Sequence, residues 1–152
     1  YDVDAPSSFQ LDLLRKDLQD LANGETVYAP RYVPNGTGVS IPNALKIESD
    51  KIVVVEGIAA LYEDVQDVFD VKIYIETDNE IRYNRFMRRA QEERNQDKEN
   101  AMKHWQYLLD VGEKYVIPCR NSADFVLDGN SDLSYFDQIL EYIHTITNNF
   151  QQ

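Results

Sequence analysis

Apolar positions recur along the chain with two different periods, and they divide it into elements before any chemistry is considered. Between residues 8 and 23, Leu11, Leu14, Leu18 and Leu21 fall three or four apart among charged groups. That spacing predicts an amphipathic helix with Ser7 or Ser8 as its N-cap and Asn23-Gly24 as its stop. Residues 25–50 contain Pro30, Pro34, Pro42, Gly36 and Gly38, too many breakers for a long regular element, so they read as a loop holding at most short strands. The run Lys51-Ile-Val-Val-Val-Glu56-Gly57-Ile58 predicts a buried parallel strand that ends on a carboxylate. Further strands are predicted at 70–77 and 123–127, with room for a short helix between 58 and 70. Helices are predicted at about 79–94, 98–112 and 133–148, the last with Phe136, Ile139, Leu140, Ile143 and Ile146 on one side.

Strands alternating with helices predict an α/β fold with a parallel sheet covered on its faces. A length of 152 residues fits a single domain, 1–152, and no repeat or linker divides it. The 27 acidic against 15 basic residues give a formal net charge of −12, which repels polyanions and argues against nucleic acid or an anionic membrane as partner. The single cysteine, Cys119, allows neither an internal disulfide nor a cysteine-based metal site, and it points to a reducing, cytoplasmic setting. No segment approaches the ~20 apolar residues of a membrane span. The sequence opens on Tyr1 rather than Met, and the expectation is a start inside a longer chain.

The acidic average conceals one basic cluster. Arg82, Arg85, Arg88, Arg89 and Arg94 fall between residues 82 and 94. On a helix, Arg82, Arg85 and Arg89 lie within about 60° of one another, so their guanidinium groups can converge on one target. Phosphate oxygens suit the planar donor fork of arginine. The competing reading is a solvated face on which Glu80, Glu92 and Glu93 pair with these arginines. Glu56 at a strand end can orient Mg2+ directly or through water, or simply cap or pair with a neighbour. Asp4, just ahead of the first helix, can accept hydrogen bonds from sugar hydroxyls or serve only the helix dipole. Tyr32 can stack on a base or sugar or fill a core edge. None of Gly24, Gly36, Gly38, Gly57, Gly112 and Gly129 opens a G-x-x-x-x-G-K-[ST] loop, so the chain shows a strand-end acid without the phosphate loop such an acid usually serves.

Read in order, these pieces resemble the uridine kinase and phosphoribulokinase family of P-loop small-molecule kinases. The matching residues are Val3-Asp4-Ala5-Pro6-Ser7-Ser8-Phe9, Leu21-Ala-Asn-Gly24, Ala29-Pro30-Arg31-Tyr32, Val55-Glu56-Gly57-Ile58, and Asp70-Val-Lys-Ile-Tyr74 with Thr77-Asp78. Arg82, Arg85 and Arg89, then Gly112-Glu113-Lys114-Tyr115-Val116-Ile117-Pro118 and Ala123-Asp124, complete the register. The resemblance implies a P-loop NTPase-like parallel sheet flanked by helices, incomplete at the N-terminus, with the first strand and phosphate loop absent. It implies ATP-dependent phosphotransfer to a hydroxyl of a nucleoside or sugar-like acceptor. Asp4 and Tyr32 would bind the acceptor, Glu56 would serve the Mg2+ site, and Arg82, Arg85 and Arg89 would belong to a catalytic lid spanning about 79–114.

The chain also departs from the family's pattern. Asp4 is followed by Ala5 where uridine kinases carry histidine, and Pro6 is followed by Ser7 where an acid is common. The stretch Val33-Pro-Asn-Gly-Thr-Gly38 lacks the histidine and basic residue that often complete a nucleoside pocket. Arg89 is followed by Ala90 where an Arg-Asp pair is usual, which would loosen the lid. The expected missing strand would sit between 51–58 and 70–77, leaving their edges unpaired and the chain inactive by itself. A non-catalytic nucleotide- or metabolite-binding regulatory module of the same fold is the second reading, and an oligomerising scaffold the third; homo-oligomerisation is compatible with all three.

Overall fold

The computed structural model describes residues 4–32, 40–130 and 136–149, the side chains of Tyr32, Phe136, Gln138, Ile146 and Asn149 excepted. The chain divides into two compact units, one of residues 9–70 and one of residues 1–8 with 71–152.

In the unit of 9–70, α1 spans Leu11–Ala22 and buries Leu11 and Leu21. Its N-cap position is Gln10, not the predicted Ser7 or Ser8. Those serines are already committed to a 3-10 turn, Pro6–Ser8, in which the Ser8 amide donates to the Ala5 carbonyl at 2.9 Å. The predicted stop holds: Gly24 adopts φ +84°, a conformation glycine takes without penalty, and the Gly24 amide returns to the Leu21 carbonyl at 3.0 Å. A 3-10 turn at Gln66–Val68 follows the fully buried Val65. It is tied to α1 by Arg15, whose two terminal nitrogens donate to the Asp67 carboxylate at 2.5 and 2.6 Å. This fork holds the Arg15 pKa above and the Asp67 pKa below their ordinary values.

The supposed loop of 25–50 contains a regular hairpin. Strands β1 (Val27–Tyr32) and β2 (Ser40–Ile47) pair antiparallel, from Val27 opposite Ile47 to Tyr32 opposite Ser40. The breakers are absorbed by an irregularity between Ala29 and Arg31. There Pro30, which has no N–H to give a ladder, faces Pro42, Asn43 and Ala44, and Asn43 takes φ +53°. Pro34, Gly36 and Gly38 lie outside the described residues.

The predicted strand at 51–58 is absent. Residues 52–56 have no regular secondary structure, and no described strand pairs with them. Ile52, Val53, Val54 and Ile58 are exposed, Val54 at 82%. Their β propensity finds no neighbour to complete a ladder, and a strand exists only as part of a pair.

In the unit of 71–152, β3 (Ile73–Glu76) and β4 (Phe125–Asp128) pair in parallel, Ile73 opposite Phe125 through Glu76 opposite Asp128. This is the predicted parallel pairing, with each strand within three residues of its expected bounds. Both ends are clamped. At the start, the Lys72 amide donates to Asp124 Oδ2 at 2.7 Å; at the end, the Gly129 amide donates to the Glu76 carbonyl at 2.7 Å. The Asp78 amide donates to Asn130 Oδ1 at 2.9 Å. Helices α2 (Asn79–Glu92) and α3 (Lys98–Val111) lie in the long crossover that parallel strands require. α3 continues into a π turn, Gly112–Val116, and a 3-10 stretch, Ile117–Ser122. α4 (Phe136–Asn149) sets Tyr142 edge-on to Phe125 of β4 at 5.2 Å. Ile139 is buried, but Leu140, expected on the same apolar side, is exposed at 49%; one residue is a 100° rotation around the helix, enough to leave a narrow seam.

Two outcomes follow from this packing. A Cβ at Gly129 would lie 2.2 Å from Thr77 Oγ1 and 2.8 Å from Ile75 Cγ2. Both are on stiff β-branched side chains, so Gly129→Ala is expected to cost about 1–3 kcal/mol in a denaturant titration. Asp97 caps α3, its Oδ1 accepting from the Asn100 amide at 3.0 Å, and that amide holds its pKa below the ordinary value. A lowered folded-state pKa stabilises above the unfolded value, and the contribution is lost as pH falls from about 4 through the folded-state pKa. Asp97→Ala should lower the Tm at pH 7 by roughly 2–4 °C, whereas Asp97→Asn should keep the cap and flatten the acid limb of the Tm profile.

Candidate functional site

The arginine cluster becomes a site through the way α2 ends. The helix stops at Glu92, and Asn95 takes φ +50°, which asparagine tolerates better than most residues. The Gln96 amide then returns to the Ala90 carbonyl at 2.8 Å. This turn sends the chain back along α2 as α3. Arg82, Arg85, Phe86, Arg89, Arg94 and Trp105 line one open hollow of about 260 Å³.

The three predicted arginines are therefore brought together, but they are held differently. Arg82 Nη1 donates to Asn79 Oδ1 at 3.1 Å, and its guanidinium carbon lies 5.6 Å from the centre of the Trp105 ring. Arg85 directs both terminal nitrogens to the Gly129 carbonyl, each at 3.1 Å. Arg89 pairs with Glu93 at 3.5 Å, one helical turn on, with both side chains more than half exposed. The solvated-face reading thus holds for Arg89, and such exposed pairs contribute little stability. Arg85 is an anchor between α2 and the end of β4.

Phe86 and Trp105 were not singled out by sequence, and Arg94 was counted in the cluster but not among the three expected to converge. Arg94 lies about 120° from Arg82 on a continuous helix, but it follows the end of α2 at Glu92, where its amide reaches back five residues to the Arg89 carbonyl at 3.1 Å. Trp105 comes from the neighbouring helix, where no spacing in α2 could reveal it. Ala90, expected to loosen this region, is 1% exposed, and its carbonyl accepts from the Gln96 amide at 2.8 Å.

Asp4, Glu56 and Tyr32 are not among the residues that line this hollow. Asp4 is half-buried just ahead of buried Ala5, in the unit of 71–152. Glu56 is exposed in the irregular 52–56 segment of the other unit, immediately before Gly57 at φ +143°. The backbone of Tyr32 closes β1 opposite Ser40; its side chain lies outside the described residues. Among the described residues no three carboxylate, histidine or cysteine side chains gather as a metal cage. Mg2+ bound with nucleotide needs only one or two carboxylates besides phosphate and water. No described helix is long and apolar enough to cross a membrane.

The unit of 71–152 is thus α/β, with a parallel strand pair and an arginine hollow on its crossover helices. Residues 1–133 match the model of the Phosphoribulokinase / Uridine kinase family, and the chain belongs to that family, whose fold is that of P-loop NTPases. It is 30% identical over 152 residues to a uridine kinase of Staphylococcus carnosus, covering 97% of this chain and 72% of that protein. It is 32% identical over 148 residues to a uridine kinase of Macrococcus caseolyticus, covering 94% and 70%. With uridine-cytidine kinase A of Dictyostelium discoideum it shares 28% identity over 134 residues, covering 87% of this chain but only 27% of that protein.

The different tethers of the arginines give distinct expected stabilities. Arg85→Ala removes the donor of two hydrogen bonds to Gly129 and should destabilise the protein by about 1 kcal/mol. Arg89→Ala, breaking one exposed pair, should stay within ~0.5 kcal/mol of the parent. Parallel urea titrations compare the two, and equal losses would remove the anchoring role of Arg85.

Proposed function

We propose that the chain carries the acceptor-binding and lid parts of an ATP-dependent kinase that phosphorylates a hydroxyl of a nucleoside or a closely related sugar-bearing acceptor. The observation that carries this reading is the arginine hollow on α2 and α3, set within the stretch that matches the family. The uridine kinase and uridine-cytidine kinase names of the relatives favour a nucleoside. Ala5 in place of the histidine usual in uridine kinases leaves the base to be identified by screening.

In this reading Arg82, Arg85 and Arg89 neutralise charge that spreads over the equatorial oxygens of the transferring phosphoryl group. Fixed guanidinium donors suit that task, because phosphoryl transfer asks for positioning and electrostatic stabilisation rather than covalent participation by the protein. Arg85 must exchange its carbonyl acceptor for phosphate oxygen, and Arg89 must do so with its Glu93 partner. Arg82 needs no such exchange of a charged partner. Asp4 would accept hydrogen bonds from acceptor hydroxyls, Tyr32 would stack beside them, and Glu56 would hold Mg2+ directly or through water. A Mg2+ ion held there would supply positive charge to offset that of the phosphates. Closure of the region 79–114 over the donor would exclude water that could otherwise accept the phosphoryl group.

The reading also requires a phosphate-binding loop, which none of the six glycines provides. A strand carrying that loop would pair with 51–58, and the exposure of Ile52, Val53 and Val54 supports such a partner. The residues 1–152 alone are then expected to transfer no phosphate.

The test is phosphotransfer from ATP to a panel of nucleosides and sugars by the native polypeptide containing these residues. Arg82→Ala is expected to lower kcat by 10²-fold or more, since fixed donors of this kind contribute on that scale, and Glu56→Gln to raise the Mg2+ concentration needed for half-maximal rate. Mg2+-ATP should also raise the parent Tm, because a ligand bound by the native state stabilises it. A native polypeptide that gains no thermal stability from Mg2+-ATP and phosphorylates no acceptor would refute the kinase reading.

A further inference from the structure

We infer that Trp105 is a positioning residue for Arg82, presenting its guanidinium to phosphate in the hollow; the inference rests on the kinase reading above. The Trp105 ring is itself fixed, lying 5.5 Å from Tyr83 and 5.4 Å from Phe86 between ring centres. With Arg82 these are three neighbouring α2 positions, so one α3 side chain is seated against a single patch of α2. The guanidinium carbon of Arg82 stands 5.6 Å from the ring centre, within the range of cation–π attraction.

What sets Arg82 apart from the other two is that neutral groups hold it and engage only one of its terminal nitrogens. Arg89 is paired with the Glu93 carboxylate, and Arg85 gives both terminal nitrogens to one carbonyl. Arg82 is held by a neutral amide oxygen, Asn79 Oδ1, and by the neutral Trp105 ring. Neither cancels its positive charge. A guanidinium resting on an aromatic face keeps N–H donors available at its edge, where a phosphate can take two at once. Ordering a free arginine side chain on binding costs entropy. The Trp105 contact meets part of that cost before the ligand arrives, so affinity should depend on the ring through Arg82 and not through packing alone.

The experiment measures binding of inorganic tripolyphosphate by titration calorimetry to the full chain and to Trp105→Leu, Trp105→Phe, Arg82→Ala and the Trp105→Leu/Arg82→Ala double variant. Melting curves are recorded for each. Trp105→Leu keeps apolar bulk but has no π face, and it should weaken binding by roughly 2- to 30-fold. Trp105→Phe should recover part of that loss. The double variant should bind no more weakly than Arg82→Ala, because the ring acts through the guanidinium. Additive losses in the double variant, or unchanged affinity in a folded Trp105→Leu, would overturn the inference while leaving the kinase reading intact. If Trp105→Leu fails to fold, Trp105→Phe and its double variant with Arg82→Ala carry the same comparison. A parent chain that does not bind tripolyphosphate, or an Arg82→Ala variant that binds as the parent does, would overturn both the anion site and the role of Trp105.

Discussion

The parallel pairing of β3 with β4, and the close turn that ends it, is the constraint on which the unit of 71–152 depends. Two four-residue strands form a small ladder, and such a pair is marginal without further ties. The ties are at its ends. Asp124 receives the Lys72 amide at the start, while Gly129 and Asn130 receive or supply backbone hydrogen bonds to Glu76 and Asp78 at the finish. Because Gly129 approaches Thr77 and Ile75 too closely for any side chain, its carbonyl is held at the mouth of α2, where Arg85 reaches it. The same residue thus closes the sheet and fixes the helix that bears the arginines.

That arrangement explains why three arginines on one helical face have unlike surroundings. Helical spacing determines only that they point the same way. What each meets is decided by other elements: the β4 turn for Arg85, an asparagine and a tryptophan for Arg82, and a glutamate of the same helix for Arg89. A cluster of like charges is tolerable because two of its members have polar or acidic partners and the hollow stays open to water. Of the three, Arg89 is the one paired with a carboxylate, and Arg82 keeps the less occupied donor fork.

The elements stabilised locally were the legible ones. α1, α2 and α3 carry apolar positions at helical spacing, and the glycine stop at Gly24 has a specific backbone conformation behind it. The parallel relation of β3 and β4 also followed from the alternation of strands and helices. What escaped depended on partners distant in sequence. The hairpin of β1 and β2 was hidden by prolines that turned out to sit at one irregularity, and the run 51–58 has strand composition but no described strand beside it. At the site, the convergence of Arg82, Arg85 and Arg89 was readable from a helical wheel. Trp105, on a separate helix, was not, and Arg94 required knowledge of where α2 ends.

The proposed binding of a polyphosphate by a chain with formal net charge −12 poses an apparent contradiction, and distance resolves it. At physiological ionic strength, exposed charges more than about 8 Å apart are largely screened from one another. The acidic excess therefore acts on the approach of large polyanions, which sample the whole surface, more than on a small anion already within the hollow. Close in, the guanidinium groups of Arg82, Arg85, Arg89 and Arg94 are nearer than most of the acidic surface, and Glu93 is the carboxylate directly paired with one of them. Local arginine and global acidity then act together: the first supplies attraction over a few ångströms, and the second disfavours long polyanions that would compete for the same donors.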